Sequence, residues 1–435
     1  MKLFHSSGIT PAELRPRYGM EYGQAEEIVR DILADVKENG DDAIRRYCLK
    51  FDHAELSSFA VTDSEIKEAL SKTDSRLLFT MRQAAENIRA FHQKQKREGF
   101  VMSEQEGVLL GQRILPLDRV GIYIPGGTAS YPSTVLMNAI PAKIAGVKEI
   151  VMVTPPSSDG SIAAPILAAA CIAGVDKIYK VGGAQAIAAL AYGTQSIPRV
   201  DKITGPGNMY VATAKRQVYG LVDIDMVAGP SEILVIADES ADPFFVAADL
   251  LSQAEHDPMA AAILLTTSEQ LALAVQSEVA RQLYLLPRRV IAEKSILDHG
   301  CIVVVPSLRE AAELSNEIAP EHLELCVKDP FALLGLIRHA GSVFLGHYAP
   351  EALGDYFAGP NHTLPTNGTA KFASPLSVDD FVKKSSFVYY TKEALREVQE
   401  QIVFFAKNEG LDAHAKSVSM RFDFDEDNDD EDGEE

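Results

Sequence analysis

Through the first third of the chain, apolar residues recur at the three- and four-residue spacing of helices that bury one face. Gly23 to Glu38 carries the pattern, Asn39-Gly40 interrupts it as a stop signal, and Asp41 to Phe51 resumes it. Thr62-Asp63-Ser64-Glu65 has the form of a capping box and predicts a further helix, and Asp74 to Gln95 predicts a longer one. These helices read as scaffold. From Arg119 the period changes. Short β-rich apolar runs, each closed by a turn and followed by a small-residue helix, cover Gly121–Gly127, Glu149–Pro156, Lys177–Gly183, Lys202–Asn208 and Val222–Ser231. A second series covers Glu232–Asp238, Ala261–Thr267, Cys301–Pro306, His322–Val327 and Ser342–Gly346. Apolar runs alternating with helices predict parallel sheets covered on both faces. From Val378 to Leu411 the pattern is helical again, with Lys392 to Gly410 the clearest amphipathic stretch. A short helical piece, Leu411 to Arg421, carries His414.

The fold class expected is α/β: two related Rossmann-like parallel-sheet domains with helical N- and C-terminal extensions. Residues 1–18 read as an N-terminal arm, and 19–120 with 233–376 as a first, discontinuous α/β domain. Residues 121–232 read as an inserted α/β domain, 377–421 as a C-terminal helical segment and 422–435 as a disordered acidic tail. The N-terminal helices are expected to pack on the second of the two sheets.

With 435 residues and 46% hydrophobic content, the chain is long enough for more than one substantial core. No apolar run is long enough to span a bilayer, and Met1 to Leu14 lacks the apolar core of a signal peptide, so a cytoplasmic protein without a membrane partner is expected. The formal charge of −21 argues against nucleic acid, although ten of the acids lie between Asp423 and Glu435. Such a block has too little apolar surface to offset the entropy of ordering. Four cysteines do not make a disulfide framework. Cys171, Cys301 and Cys326 read as small core residues and Cys48 lies on an early helix. A catalytic cysteine is the alternative, but no glycine-rich turn or nearby histidine presents one.

Gln253 and His256 lie three residues apart near the end of an apolar helix that Asp257-Pro258 closes, which places both side chains on one face as possible metal ligands. A helix-end histidine interacting with the helix dipole is the plainer reading. In open α/β sheets ligands bind outside the carboxyl ends of the strands. There the chain places Pro125-Gly126-Gly127, Gly182-Gly183-Ala184-Gln185, Gly205-Pro206-Gly207-Asn208 and Gly229-Pro230-Ser231. Any single glycine turn has an ordinary conformational explanation, whereas four together suit a nucleotide or another extended anion. None matches G-x-G-x-x-G, and the second run ends in Thr154-Pro155 rather than in an acid for a ribose hydroxyl. Glu321-His322 lies at the start of a strand, where it can handle protons near neutral pH. Asp355 and His362 lie in a glycine- and proline-rich loop that cannot be core.

The segments LLSQAEHDP, APEHLEL, GDYFAGPNHTLPT and LDAHAKSVSMR follow YIPGG, VGGAQAIAALAYGT, ITGPGNMYVATAKRQV and AGPSE in this order. Together they resemble the histidinol dehydrogenase family over about Tyr22 to Arg421. The resemblance implies a Zn2+ ion, one per subunit, held by Gln253, His256, Asp355 and His414, and an acid–base pair of Glu321 and His322. It implies substrate contacts at Ser231, Gln253, His256, His322, Asp355, Glu409 and His414, and NAD contacts at Tyr123, Gln185 and Asn208. It further implies oxidation of L-histidinol to L-histidine through the aldehyde with two NAD+, and a homodimer whose C-terminal piece crosses to complete the partner's site. His322 suits the removal of the hydroxyl proton and Glu321 the activation of water for the second oxidation. Three other readings compete: a zinc hydrolase, a non-catalytic metal- or nucleotide-binding protein, and a relative acting on another amino or sulfonated alcohol.

Overall fold

The computed structural model describes residues 1–8, 10–14, 22–126 and 130–423. Its strands are β1 (Lys2–His5), β2 (Phe100–Met102), β3 (Val108–Pro116), β4 (Arg119–Tyr123), β5 (Glu149–Thr154), β6 (Lys177–Lys180) and β7 (Lys202–Thr204). They continue as β8 (Asp223–Ile224), β9 (Glu232–Ala237), β10 (Ala261–Thr266), β11 (Gly300–Val304), β12 (His322–Cys326), β13 (Ser342–Leu345) and β14 (Val382–Tyr390). A five-stranded sheet has the order β6-β5-β4-β7-β8, and a six-stranded one the order β1-β11-β10-β9-β12-β13. The pairings in both are parallel. Without β1, the second sheet repeats the third-second-first-fourth-fifth order of the first, which is half of a doubly wound dinucleotide fold. The two expected Rossmann-like sheets are therefore related in topology. Every residue of β9, β10 and β12 is buried, as continuous apolar runs require of a strand covered on both faces.

The N-terminal helices lie elsewhere than expected. Tyr22–Tyr47 packs on the helices Gly183–Tyr192 and Met209–Val218, Asp63–Lys72 on Ala164–Ala173, and Ser75–Gln93 on Pro132–Ala145. All four partner helices flank the first sheet, not the second. The alanines of Gly183–Tyr192 leave a shallow surface, against which Val29, Ile32, Leu33 and Val36 close a shared core. Asn39-Gly40 is a kink rather than a stop, because Gly40 takes φ 52° and the helix resumes beyond it. The capping box is present: the Thr62 side chain accepts from Glu65 N–H and the Glu65 carboxylate from Thr62 N–H.

Residues 1–96 with 116–381 form one compact unit, and 97–115 with 382–435 form a second. In the second unit β14, β3 and β2 make a small sheet, and the helices Lys392–Asn408 and Asp412–Ser419 follow. Val382–Tyr390 is thus a strand where a helix was expected. Its Phe387-Val388-Tyr389-Tyr390 end is rich in residues that fit a pleated surface. Within the expected N-terminal arm, Lys2–His5 is an edge strand paired with β11. Cys171 is exposed on the outer face of its helix, contrary to the reading as core, whereas Cys48, Cys301 and Cys326 are buried. Among the described residues no helix is long and apolar enough to cross a membrane. The acidic stretch beyond Asp423 and the Gly127 end of the Pro125-Gly126-Gly127 turn lie outside the described residues.

Candidate active site

β9 and β12 are neighbours at the switch point of the six-stranded sheet, with His322 level with Ile233. The candidate chemistry gathers at their amino ends, opposite to the edge that open α/β sheets ordinarily use. Glu321 and His322 are both buried. The Glu321 carboxylate accepts from Glu232 N–H at 2.9 Å, and His322 Nδ1 lies 3.1 Å from the Glu232 carbonyl, to which it can donate. That bond leaves Nε2 as the working atom. It lies 3.5 Å from Asp355 Oδ1 and 3.9 Å from Glu351 Oε1. Burial works to lower the His322 pKa, but the Glu321 charge and the hydrogen bonds of Asp355 and Glu321 raise it well above the usual imidazole value. Burial likewise opposes ionisation of Asp355, yet its bond to His322 and the charges of His362 and His322 hold its carboxyl at about 2. His362 Nδ1 lies 3.0 Å from the Asp355 carbonyl, and desolvation lowers its pKa.

Gln253 reaches the same point from the last turn of the helix Pro243–Ala254 and is 1% exposed. Its Oε1 has no hydrogen-bond partner among the described residues, and its Nε2 stands 3.5 Å from His322 Nδ1. A buried amide oxygen without a donor, beside an ionised Asp355, suits a cation. His256 is exposed and lies beyond the helix, which ends at Ala254. Its N–H closes a tight turn on the Gln253 carbonyl at 3.2 Å. The helix thus stops before Asp257-Pro258, because the residue preceding a proline avoids helical geometry and the last turn tightens. Ser231 is half-buried just ahead of β9, and its carbonyl accepts from Ala261 N–H.

Three buried acids and the half-buried Asp249 escaped the sequence reading here. Glu351 N–H donates to Glu324 Oε1 at 2.7 Å, Ser252 Oγ donates to Glu351 at 2.9 Å, and Asp249 is hydrogen-bonded to Glu324. Desolvation is the leading cause that pushes Glu232 and Glu351 up to about 8, Asp249 to about 6 and Glu324 well above its usual value. Among the described residues two groups, His322/Glu351/Asp355 and Asp249/Glu324/Cys326, have ligand atoms close enough to share an ion. The Glu351 signal was its place four residues before Asp355; Glu232 simply follows Ser231.

The first sheet uses its carboxyl edge. Tyr123 ends β4, and its hydroxyl accepts from Gly183 N–H at 3.1 Å. Burial pushes its pKa up to about 12, so the phenol keeps its proton to donate. Gln185 is 1% exposed, and its Oε1 also has no partner among the described residues. Asn208 caps the helix Met209–Val218, accepting from Tyr210 and Val211 N–H. Gly205, at φ 111°, passes so near Tyr123 that a Cβ there would stand 2.1 Å from the Tyr123 carbonyl. The same glycine is gripped on both sides: Lys215 Nζ donates to its carbonyl at 3.0 Å, and its N–H donates to Asp225 at 2.8 Å. Lys215 and Asp225 form a fully buried ion pair. An orphaned amide oxygen among glycine turns at the switch point fits a dinucleotide.

In the second unit, Glu409 closes the helix Lys392–Asn408 and His414 lies on Asp412–Ser419. Both line one groove of about 370 Å³ with Phe405 and Leu411. The cluster around His322 is made of first-unit residues.

Two parallel sheets of like topology, with a buried glutamate–histidine pair at the edge of one and an unsatisfied amide among the glycine turns of the other, define an α/β enzyme. The chain belongs to the histidinol dehydrogenase family, whose model matches residues 15–422. It is 59% identical over 395 residues to a histidinol dehydrogenase of Bacillus cereus, covering 91% of this chain and 92% of that one. It is 58% identical over 400 residues to that of Listeria monocytogenes, covering 92% and 93%. The crystal structure of histidinol dehydrogenase from Elizabethkingia anophelis superposes with a TM-score of 0.92 at 42% identity, over 97% of this chain and 98% of that one. Membership makes the protein an oxidoreductase and bears out the resemblance read from its motifs.

Proposed function

We propose that the protein oxidises L-histidinol to L-histidine through L-histidinaldehyde, using two NAD+ in succession and one Zn2+ per subunit, in a cytoplasmic homodimer with composite sites. The observation that carries this reading is the buried Glu321–His322 pair, with Asp355 3.5 Å from Nε2 of His322 and Oε1 of Gln253 without a hydrogen-bond partner among the described residues. Gln253, His256 and Asp355 of one chain, with His414 of the other, would hold the metal. When bound, zinc supplies positive charge that offsets Asp355 and anchors nitrogen donors of the substrate, and NAD supplies the oxidant for each half-reaction.

The protein's own residues carry the protons. In its neutral form His322 takes the hydroxyl proton of the alcohol at Nε2, while the Glu232 carbonyl keeps that neutral ring in one tautomer. Glu321 draws a proton from the water that adds to the aldehyde. Ser231, Gln253, His256, His322, Asp355, Glu409 and His414 would contact the substrate, and Tyr123, Gln185 and Asn208 the dinucleotide. In support of the dimer, the second unit exposes Val388, Tyr389, Phe404 and Phe405, each more than half accessible.

The test is NADH formation by the zinc-loaded protein on addition of histidinol, with two NADH expected per histidine. Chelation should abolish turnover and zinc should restore it. Full activity in protein verified to be metal-free would overturn the metal assignment.

A further inference from the structure

None of the roles above uses the side chain of Glu232, yet its bonds converge on the acid–base pair. Its N–H holds Glu321 Oε2 at 2.9 Å, and its carbonyl faces His322 Nδ1 at 3.1 Å. Its carboxyl accepts from the backbone of Glu321 in return, and from Asn367 N–H at 3.1 Å. The strand start and the Glu321 backbone are therefore joined reciprocally, and both are tied to the 366–368 turn. That turn is fixed independently. Gly229 N–H donates to Thr366 Oγ1 at 2.7 Å, and a Cβ on Gly229 would stand 2.1 Å from the Asn367 amide. Asn367 at φ 57° and Gly368 at φ 73° bend the chain so that both bonds form at once.

We propose that Glu232 is a positioning residue for the acid–base pair, its carboxyl clamping the Glu321 backbone to the 366–368 turn so that Glu321 and His322 keep their working orientation. The proposal rests on the reading of Glu321 and His322 as that pair. Glu232 is 6% exposed and reaches its partners without a cation. Burial and the Glu321 charge push its carboxyl to about 8, so near neutral pH it is uncharged.

The experiment compares Glu232→Ala, Glu232→Gln, Glu321→Gln and the double variant Glu232→Ala/Glu321→Gln as zinc-loaded enzyme. Metal content and Tm are recorded, and oxidation of histidinol and of supplied histidinaldehyde is measured separately. Glu232→Ala should lower kcat for the aldehyde step by about tenfold or more with KM little changed. Glu232→Gln keeps an acceptor oxygen for Asn367 and should recover most of that loss. On the aldehyde step the double variant should be no slower than Glu321→Gln alone, since the effect passes through Glu321. Glu232→Ala within twofold of the parent overturns the proposal, as do additive losses or a loss matched by loss of bound metal. Full aldehyde oxidation by Glu321→Gln overturns the base assignment itself, a separate failure read from the single variant. If Glu232→Ala does not fold, Thr366→Val removes only the Gly229 bond of the same clamp. A kcat loss of about threefold or more at steady KM then supports the clamp, and an unchanged kcat overturns it.

Discussion

A carboxyl buried against another carboxyl must find hydrogen-bond donors or keep its proton. Glu321 takes the Glu232 N–H, and Glu232, pushed to about 8 by desolvation and by the Glu321 charge, keeps a proton. Because this folded-state value lies above the ordinary 4.5, the folded chain binds a proton that the unfolded chain has already released. The stability so contributed is fully present below the ordinary value and is lost as pH rises through about 8. Glu232→Gln removes the titrating group and leaves its charged neighbours Glu321 and His322 in place. The variant should therefore gain on the parent by about 1 kcal/mol or more between pH 5 and pH 8.5, read by urea unfolding of metal-free protein. An identical difference at both pH values would disprove the assignment. At this scale the motifs exposed Glu321, His322, Gln253 and Asp355, but not the acids behind them. A glutamate opening an apolar strand reads as a boundary whether it is buried or solvated, and only its partners across the fold decide which.

At the scale of elements, alternation of apolar runs and helices was enough to place β4 to β13, since strand period and turn chemistry are local. The strands β2, β3 and β14 escaped: β2 has only three residues, paired with nearby β3, and β14 joins β3 from far along the chain. The Lys215–Asp225 pair shows what a buried contact between successive elements can do, since it holds both sides of Gly205 in the turn between β7 and the helix that Asn208 caps. Lys215→Met should leave Asp225 buried without its cation, at a cost of about 3–5 kcal/mol. Lys215→Met/Asp225→Asn should recover part of that loss. Chemical denaturation of the three proteins is the measurement, and a Lys215→Met cost below about 1 kcal/mol would mean that the turn is held by its backbone alone.

At the scale of the whole molecule, the second unit carries Glu409 and His414 beside a groove and presents exposed aromatic residues. In the proposed dimer, each site takes His256 from one chain and His414 from the other. Chains carrying His414→Asn, co-refolded with chains carrying His256→Asn, should then recover up to about a quarter of the parent activity. Half of the random dimers would be mixed, each with one intact site of two. Recovery absent despite verified mixed dimers, or a fully active monomer, would rule the composite site out.

The sequence by itself determined the α/β class, the two strand series with their glycine turns, and the motifs on which family membership rests. All of these follow from residues a few positions apart, whose spacing sets which face they share. Only the tertiary structure decided that the N-terminal helices cover the first sheet, and that Glu321 and His322 are buried at the amino edge of the second. It alone decided that Glu232 joins Glu321 across 89 positions and Asn367 across 135. Contacts over such separations depend on how whole layers pack, and the ionisation of a buried acid depends on which groups that packing brings against it.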